Sequence, residues 1–96
     1  MPDTIKIKLL ATLRELAGGH KELDLACPPD STVNDLIATI QQASPPLHGK
    51  MIGADGELTG MVHIFVNGRN IDWLDGRETV ITPKDVITLI PPVAGG

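Results

Sequence analysis

Ile5, Ile7 and Leu9 alternate with Lys6 and Lys8, a period of two that predicts a strand with one buried face. Ala11 to Ala17 then carries Leu13 and Leu16 three apart and closes on Gly18-Gly19, which reads as a short helical turn with a glycine stop. From Lys21 to Ala26, Leu23 and Leu25 alternate with Glu22 and Asp24, giving a second strand. Pro28-Pro29-Asp30 breaks that pattern. Thr32 with Asp35 three residues on is a capping signal, and Val33, Leu36, Ile37 and Ile40 recur at helical spacing. The main helix is therefore expected from Val33 to about Gln42, stopped by Ser44-Pro45-Pro46.

Leu47 to Gly60 is glycine-spaced and weakly patterned, with Leu47, Met51, Ile52 and Leu58 as the residues able to tuck onto a core. Met61 to Val66 is apolar and β-branched and ends in Asn67-Gly68, the strongest short hairpin signal. Arg69-Asn70-Ile71 should pair back, Thr79-Val80-Ile81 forms a short extended piece, and Val86 to Ile90 is the last strand. The order is strand, strand, helix, strand, short strand, strand. One helix laid across a mixed four- to five-stranded sheet buries one apolar face of each, an α+β fold.

Composition narrows the function classes. The 96 residues allow one domain and one core. Phe65 and Trp73 are the only aromatics, so base stacking has little to work with, and a net charge of −4 disfavours a phosphate-binding surface. That charge is compatible with a basic protein partner, but a charge this small is what solubility alone asks for, and solubility is the favoured reading. A lone Cys27 excludes an internal disulfide framework and points to a reducing compartment. Met1-Pro2-Asp3-Thr4 has no basic-then-apolar signal pattern and no apolar run spans a bilayer, so a cytoplasmic location is expected, without membrane or nucleic-acid partners. His20, His48 and His63 fall on different elements, so no metal site is expected.

The chain closes on Pro91-Pro92-Val93-Ala94-Gly95-Gly96. Two glycines gain no side-chain burial and lose the most conformational freedom when ordered, a poor end for a structural element. They suit a bare carboxylate that must thread a narrow channel and be attacked without shielding. Fraying, the common fate of termini, is the competing explanation.

Three stretches together decide between these explanations: Leu13-Arg14-Glu15-Leu16-Ala17-Gly18, Val66-Asn67-Gly68, and Asp85 to Gly96 with its Pro-Pro-Val-Ala-Gly-Gly end. In these the chain resembles the ubiquitin-like β-grasp sulfur carriers, among them the small subunit of molybdopterin synthase and the thiamine sulfur carriers. The resemblance implies a ubiquitin-like β-grasp domain over residues 1–96, with residues 91–96 a flexible functional tail. It implies that an adenylating enzyme of the ubiquitin-activating type, using ATP and magnesium, activates the Gly96 carboxylate, which sulfur converts to a thiocarboxylate. The acceptor would be bound by the molybdopterin synthase large subunit or another sulfur-acceptor enzyme, with Pro91, Pro92, Val93, Ala94 and Gly95 lying in the partner's channel. Relatives that serve cysteine or another sulfur metabolite, and modifiers joined to lysines through the same glycine, carry the same features. The chain itself binds no cofactor on this reading: Gly53-Ala54-Asp55-Gly56-Glu57 lacks the lysine and hydroxyl of a phosphate loop.

A few residues keep two readings. If Val62, Ile64 and Val66 face the helix, Phe65 and Ile90 lie on the outer face near the tail root. There they dock a partner or are covered by residues 44–60. Arg69 and Arg77 are expected to be solvated loop arginines, with acidic partner residues the alternative. Cys27 is expected to be inert rather than a sulfur relay. Trp73 is expected to anchor the loop after the fourth strand, with exposure to a partner the alternative.

Overall fold

The computed structural model describes residues 4–10, 12–16, 18–19, 21–47 and 49–91, the side chains of Thr12, Leu16 and Pro46 excepted. Strand β1 (Thr4–Leu9) leads into a short helix α1 (Thr12–Leu16). Its end is held by Gly19 N–H donating to Arg14 O at 2.9 Å and Gly18 N–H to Glu15 O at 3.1 Å. That bond pair is a Schellman closure, and the φ of 78° at Gly18 is the left-handed conformation it requires. The chain returns as β2 (Glu22–Ala26), antiparallel to β1 in the register Ile5↔Leu25 and Ile7↔Leu23.

Helix α2 (Val33–Ala43) starts with a full capping box. The Asp35 N–H donates to Thr32 Oγ1, and the Thr32 N–H donates to Asp35 Oδ2 at 3.0 Å. Its buried stripe is Val33, Leu36, Ile37 and Ile40, the positions that helical spacing singled out. Strands β3 (His63–Val66), β4 (Arg69–Asn70) and β5 (Val86–Ile90) complete a five-stranded sheet in the order β2-β1-β5-β3-β4. β5 is central, parallel to β1 and antiparallel to β3.

The core lies between sheet and α2, where Ile5, Ile7, Leu9, Ile64, Ile87 and Leu89 meet the helix stripe. Burying one such side chain contributes about 2 kcal/mol, so this aliphatic contact supplies the main driving force. Leu47 and Met51 join the same cluster. The weakly patterned stretch before β3 is itself ordered. Ile52 and Leu58 form a bridge, Gly53 N–H donates to Glu57 O at 2.8 Å, and Thr59 N–H to Met51 O at 3.0 Å. Its apolar side chains thus enter the core and do not lie over the outer sheet face.

Two boundaries around the hairpin of β3 and β4 differ from the sequence expectation. Strand β3 starts at His63 rather than Met61, because its partner β5 ends at Ile90, which is opposite His63. Ile71 does not extend β4 but opens a 3-10 turn (Ile71–Trp73), since Asn70 Oδ1 accepts the Asp72 N–H at 2.9 Å and caps it.

Candidate functional site

The tail leaves the sheet from its central strand. β5 has ladder partners on both sides up to its last residues, Leu9↔Leu89 on one and His63↔Ile90 on the other. The Leu10 N–H extends the parallel ladder to Leu89 O at 3.3 Å. The strand is thus bonded along both edges up to the residue before Pro91. Pro92, Val93, Ala94, Gly95 and Gly96 lie outside the described residues, as do His20 and His48.

Around that end of β5 the outer sheet face is set by the register. Thr88 sits between Lys8 and Phe65, and Ile90 sits opposite His63, so Phe65 and Ile90 are diagonal neighbours. Phe65, Ile90, His63 and Pro91 are all half-buried. Leu10, 38% exposed after β1, and Met61, 48% exposed before β3, stand at this end of the sheet. Sequence reasoning named Phe65 and Ile90 but missed Leu10 and Met61. Leu10 was detectable as the apolar residue that breaks the alternation after Leu9.

The start of β5 is anchored as firmly as its end. Asn67, with φ 52°, donates its Nδ2 to Asp85 Oδ1 at 2.9 Å and accepts the Val86 N–H at 2.9 Å. Asp85 Oδ2 in turn accepts the Thr82 N–H at 2.8 Å. On the far side, Lys6 and Glu22 pair across strands at 3.3 Å, an exposed pair worth little to stability.

Three other expectations meet the structure here. Arg77 is not a free loop arginine: its Nε and Nη2 donate to Asn34 Oδ1 at 3.0 and 2.6 Å, and its Nη1 to Gly56 O at 2.9 Å. It ties the 3-10 turn Gly76–Glu78 to the first turn of α2 and to the hairpin before β3. Trp73 does not anchor its loop. Ile71 is buried and Leu74 packs against the core, and this leaves Trp73 85% exposed. Cys27 is buried in the core cluster.

Among the described residues no helix is long and apolar enough to cross a membrane, and no three His, Cys, Asp or Glu are grouped to hold a metal ion. What the geometry offers is a central strand bonded on both sides up to Ile90, with Phe65, Ile90, Leu10 and Met61 near its end.

The ThiS family model matches residues 7–96. A protein of Archaeoglobus fulgidus, described as a candidate sulfur carrier, is 38% identical over 92 residues, which covers 96% of this chain and 98% of that protein. Small archaeal modifier protein 3 of Haloferax volcanii is 34% identical over 92 residues, with the same coverage. Among solved structures, SAMP1 from Haloferax volcanii superimposes with a TM-score of 0.84 at 30% identity, covering 97% of this chain and 99% of that one. A Pyrococcus furiosus protein, described as a candidate molybdopterin converting factor subunit 1, gives a TM-score of 0.75 at 29% identity, with 94% and 98% covered.

Proposed function

The chain belongs to the ThiS family of ubiquitin-like β-grasp sulfur carriers and modifiers, and from that premise we propose that it carries sulfur on the C-terminal carboxyl group of Gly96. The observation that carries this reading is the family match itself, which runs through Gly95-Gly96 to residue 96. The mount on the central strand supports it.

The chemistry follows from the weakness of a carboxylate as an electrophile. An activating enzyme of the ubiquitin-activating type transfers AMP from ATP, with magnesium, to the Gly96 carboxylate and releases pyrophosphate. A sulfur nucleophile then displaces AMP and leaves a thiocarboxylate. The absence of Cβ atoms on Gly95 and Gly96 keeps that carbonyl open to attack. The residues Pro91 to Gly95 occupy the partner's channel, and Phe65 and Ile90 dock beside it. As acceptor we take the molybdopterin precursor held by the large subunit of molybdopterin synthase, which places the protein in molybdenum cofactor biosynthesis. The likeness to the Pyrococcus furiosus structure supports this choice. A carrier for cysteine or another sulfur metabolite shares every step up to that acceptor.

A second reading is favoured by the likeness to small archaeal modifier protein 3: the activated Gly96 is joined to a lysine amine of a target protein. Appending one alanine after Gly96 tests what the two readings share. Sulfur transfer and conjugation are both lost while folding is unchanged. Retained activity in that variant would contradict the proposal.

A further inference from the structure

Asn67 and Gly68 form the two-residue turn between β3 and β4, at φ 52° and 85°, and both are exposed. Apart from its chain neighbours, nothing lies within 4 Å of where a Cβ on Gly68 would stand. The chain has three asparagines, and only Asn67 precedes a glycine: Asn34 is followed by Asp35 and Asn70 by Ile71. A backbone nitrogen without a side chain beside it is open both to solvent and to the asparagine carbonyl.

The Asn67 side chain is tied down on the opposite side. Its Nδ2 donates to Asp85 Oδ1 at 2.9 Å, and its Oδ1 accepts the Val86 N–H at 2.9 Å. Its backbone N–H donates to Val86 O at 2.8 Å. The two side-chain bonds fix the amide group toward β5, and turning its carbon onto the Gly68 nitrogen requires them to open.

We propose that Asn67 is a deamidation site, held slow by its bonds to the entry of β5, and that deamidation weakens those same bonds. The Gly68 nitrogen loses its proton to solvent base and attacks Asn67 Cγ. The Cγ–Nδ2 bond breaks, and ammonia leaves with a proton from water. Water then opens the resulting succinimide at either carbonyl, giving aspartate or isoaspartate, and nothing is oxidised or reduced. Aspartate puts a carboxylate oxygen where the Nδ2 donor stood, so two negative groups face each other. Asp85 is held in place by the Thr82 N–H, which donates to its Oδ2 at 2.8 Å. Isoaspartate instead lengthens the backbone of a two-residue turn whose geometry suits Asn-Gly. This chemistry is independent of Gly96.

The test incubates the full chain at mildly alkaline pH and follows each asparagine by mass spectrometry of its peptides. Residue 67 gains the mass of amide-to-acid exchange while Asn34 and Asn70 stay intact. Asp85→Ala speeds that gain about five-fold, the factor carried by one net hydrogen bond. Thr32→Ala, which weakens the fold elsewhere, leaves the rate unchanged, so the bonds to β5 and not global unfolding set it. Asn67→Asp lowers the urea midpoint at neutral pH. Asn67→Asp with Asp85→Asn exchanges donor and acceptor and restores it. Conversion no faster at Asn67 than at Asn34 and Asn70, a rate unchanged or lowered by Asp85→Ala, an equal acceleration by Thr32→Ala, or no restoration in the exchanged pair overturns the proposal.

Discussion

At Asn67 the backbone takes φ 52°, and the side chain reaches the entry to β5 with one bond to Asp85, just before it, and one to Val86, its first residue. Both features bear on the strand that presents the tail. Asn67→Ala puts a Cβ-bearing residue without polar reach in a left-handed position and deletes both bonds. It is expected to cost about 2 kcal/mol in urea denaturation. Asn67→Gly loses only the bonds and costs about 1 kcal/mol, so the difference between the two variants isolates the backbone contribution. Arg77 gives a matching case of geometry over charge. Arg77→Lys keeps the cation but cannot fork onto Asn34 and Gly56 together, and should lower stability by about 1 kcal/mol. Faster amide exchange at Gly53, whose N–H bonds Glu57 O in the tethered hairpin, is the local signature to look for. In the sequence the Asn67-Gly68 turn was plain, because left-handed backbone selects that pair. The tether of Arg77 to Asn34, 43 residues away, was not, because no local pattern encodes it.

Among the elements, α2 was the most legible. Its capping box and apolar stripe are both local, and the helix ends one residue beyond the expected Gln42. Thr32→Ala removes the side-chain half of that box and should destabilise the protein by about 1 kcal/mol in thermal or urea unfolding. The strand ends were less legible, because a strand stops where its partner stops. Met61 and Val62 have strand composition but no β5 residue opposite them. The stretch from Met51 to Thr59 looked unpatterned because glycine and side-chain bonds, not alternation, hold it: Gly56 sits at φ 79° and Asp55 caps Glu57. Trp73 was misjudged by its type. Large aromatics are usually inside, but here two aliphatic neighbours take the inward positions. On the sheet's outer face Phe65 is half-buried, so Phe65→Ala should cost about 1 kcal/mol of stability and weaken binding to the activating enzyme about ten-fold. A stability loss of several kcal/mol, with binding intact, would assign Phe65 to the core instead.

At the scale of the molecule, a mixed sheet bonds its last strand on both sides in the centre, and on the proposed reading that fold is the holder for Pro91 to Gly96. Sequence made the holder and the Gly-Gly end visible together, since the strand pattern runs straight into the tail. The identity of the acceptor was not visible, because on the proposed reading acceptor choice resides in the partner enzyme. The central claim is that Gly96 is an acyl group to be activated and charged with sulfur. Its most direct test is the intact mass of the protein isolated from its own cells under non-reducing, thiol-free conditions. Exchange of one oxygen for sulfur predicts a fraction about 16 Da heavier than the chain ending at Gly96, the shift residing in the C-terminal peptide. Only the unshifted carboxylate mass, or a chain continuing past Gly96, would contradict it.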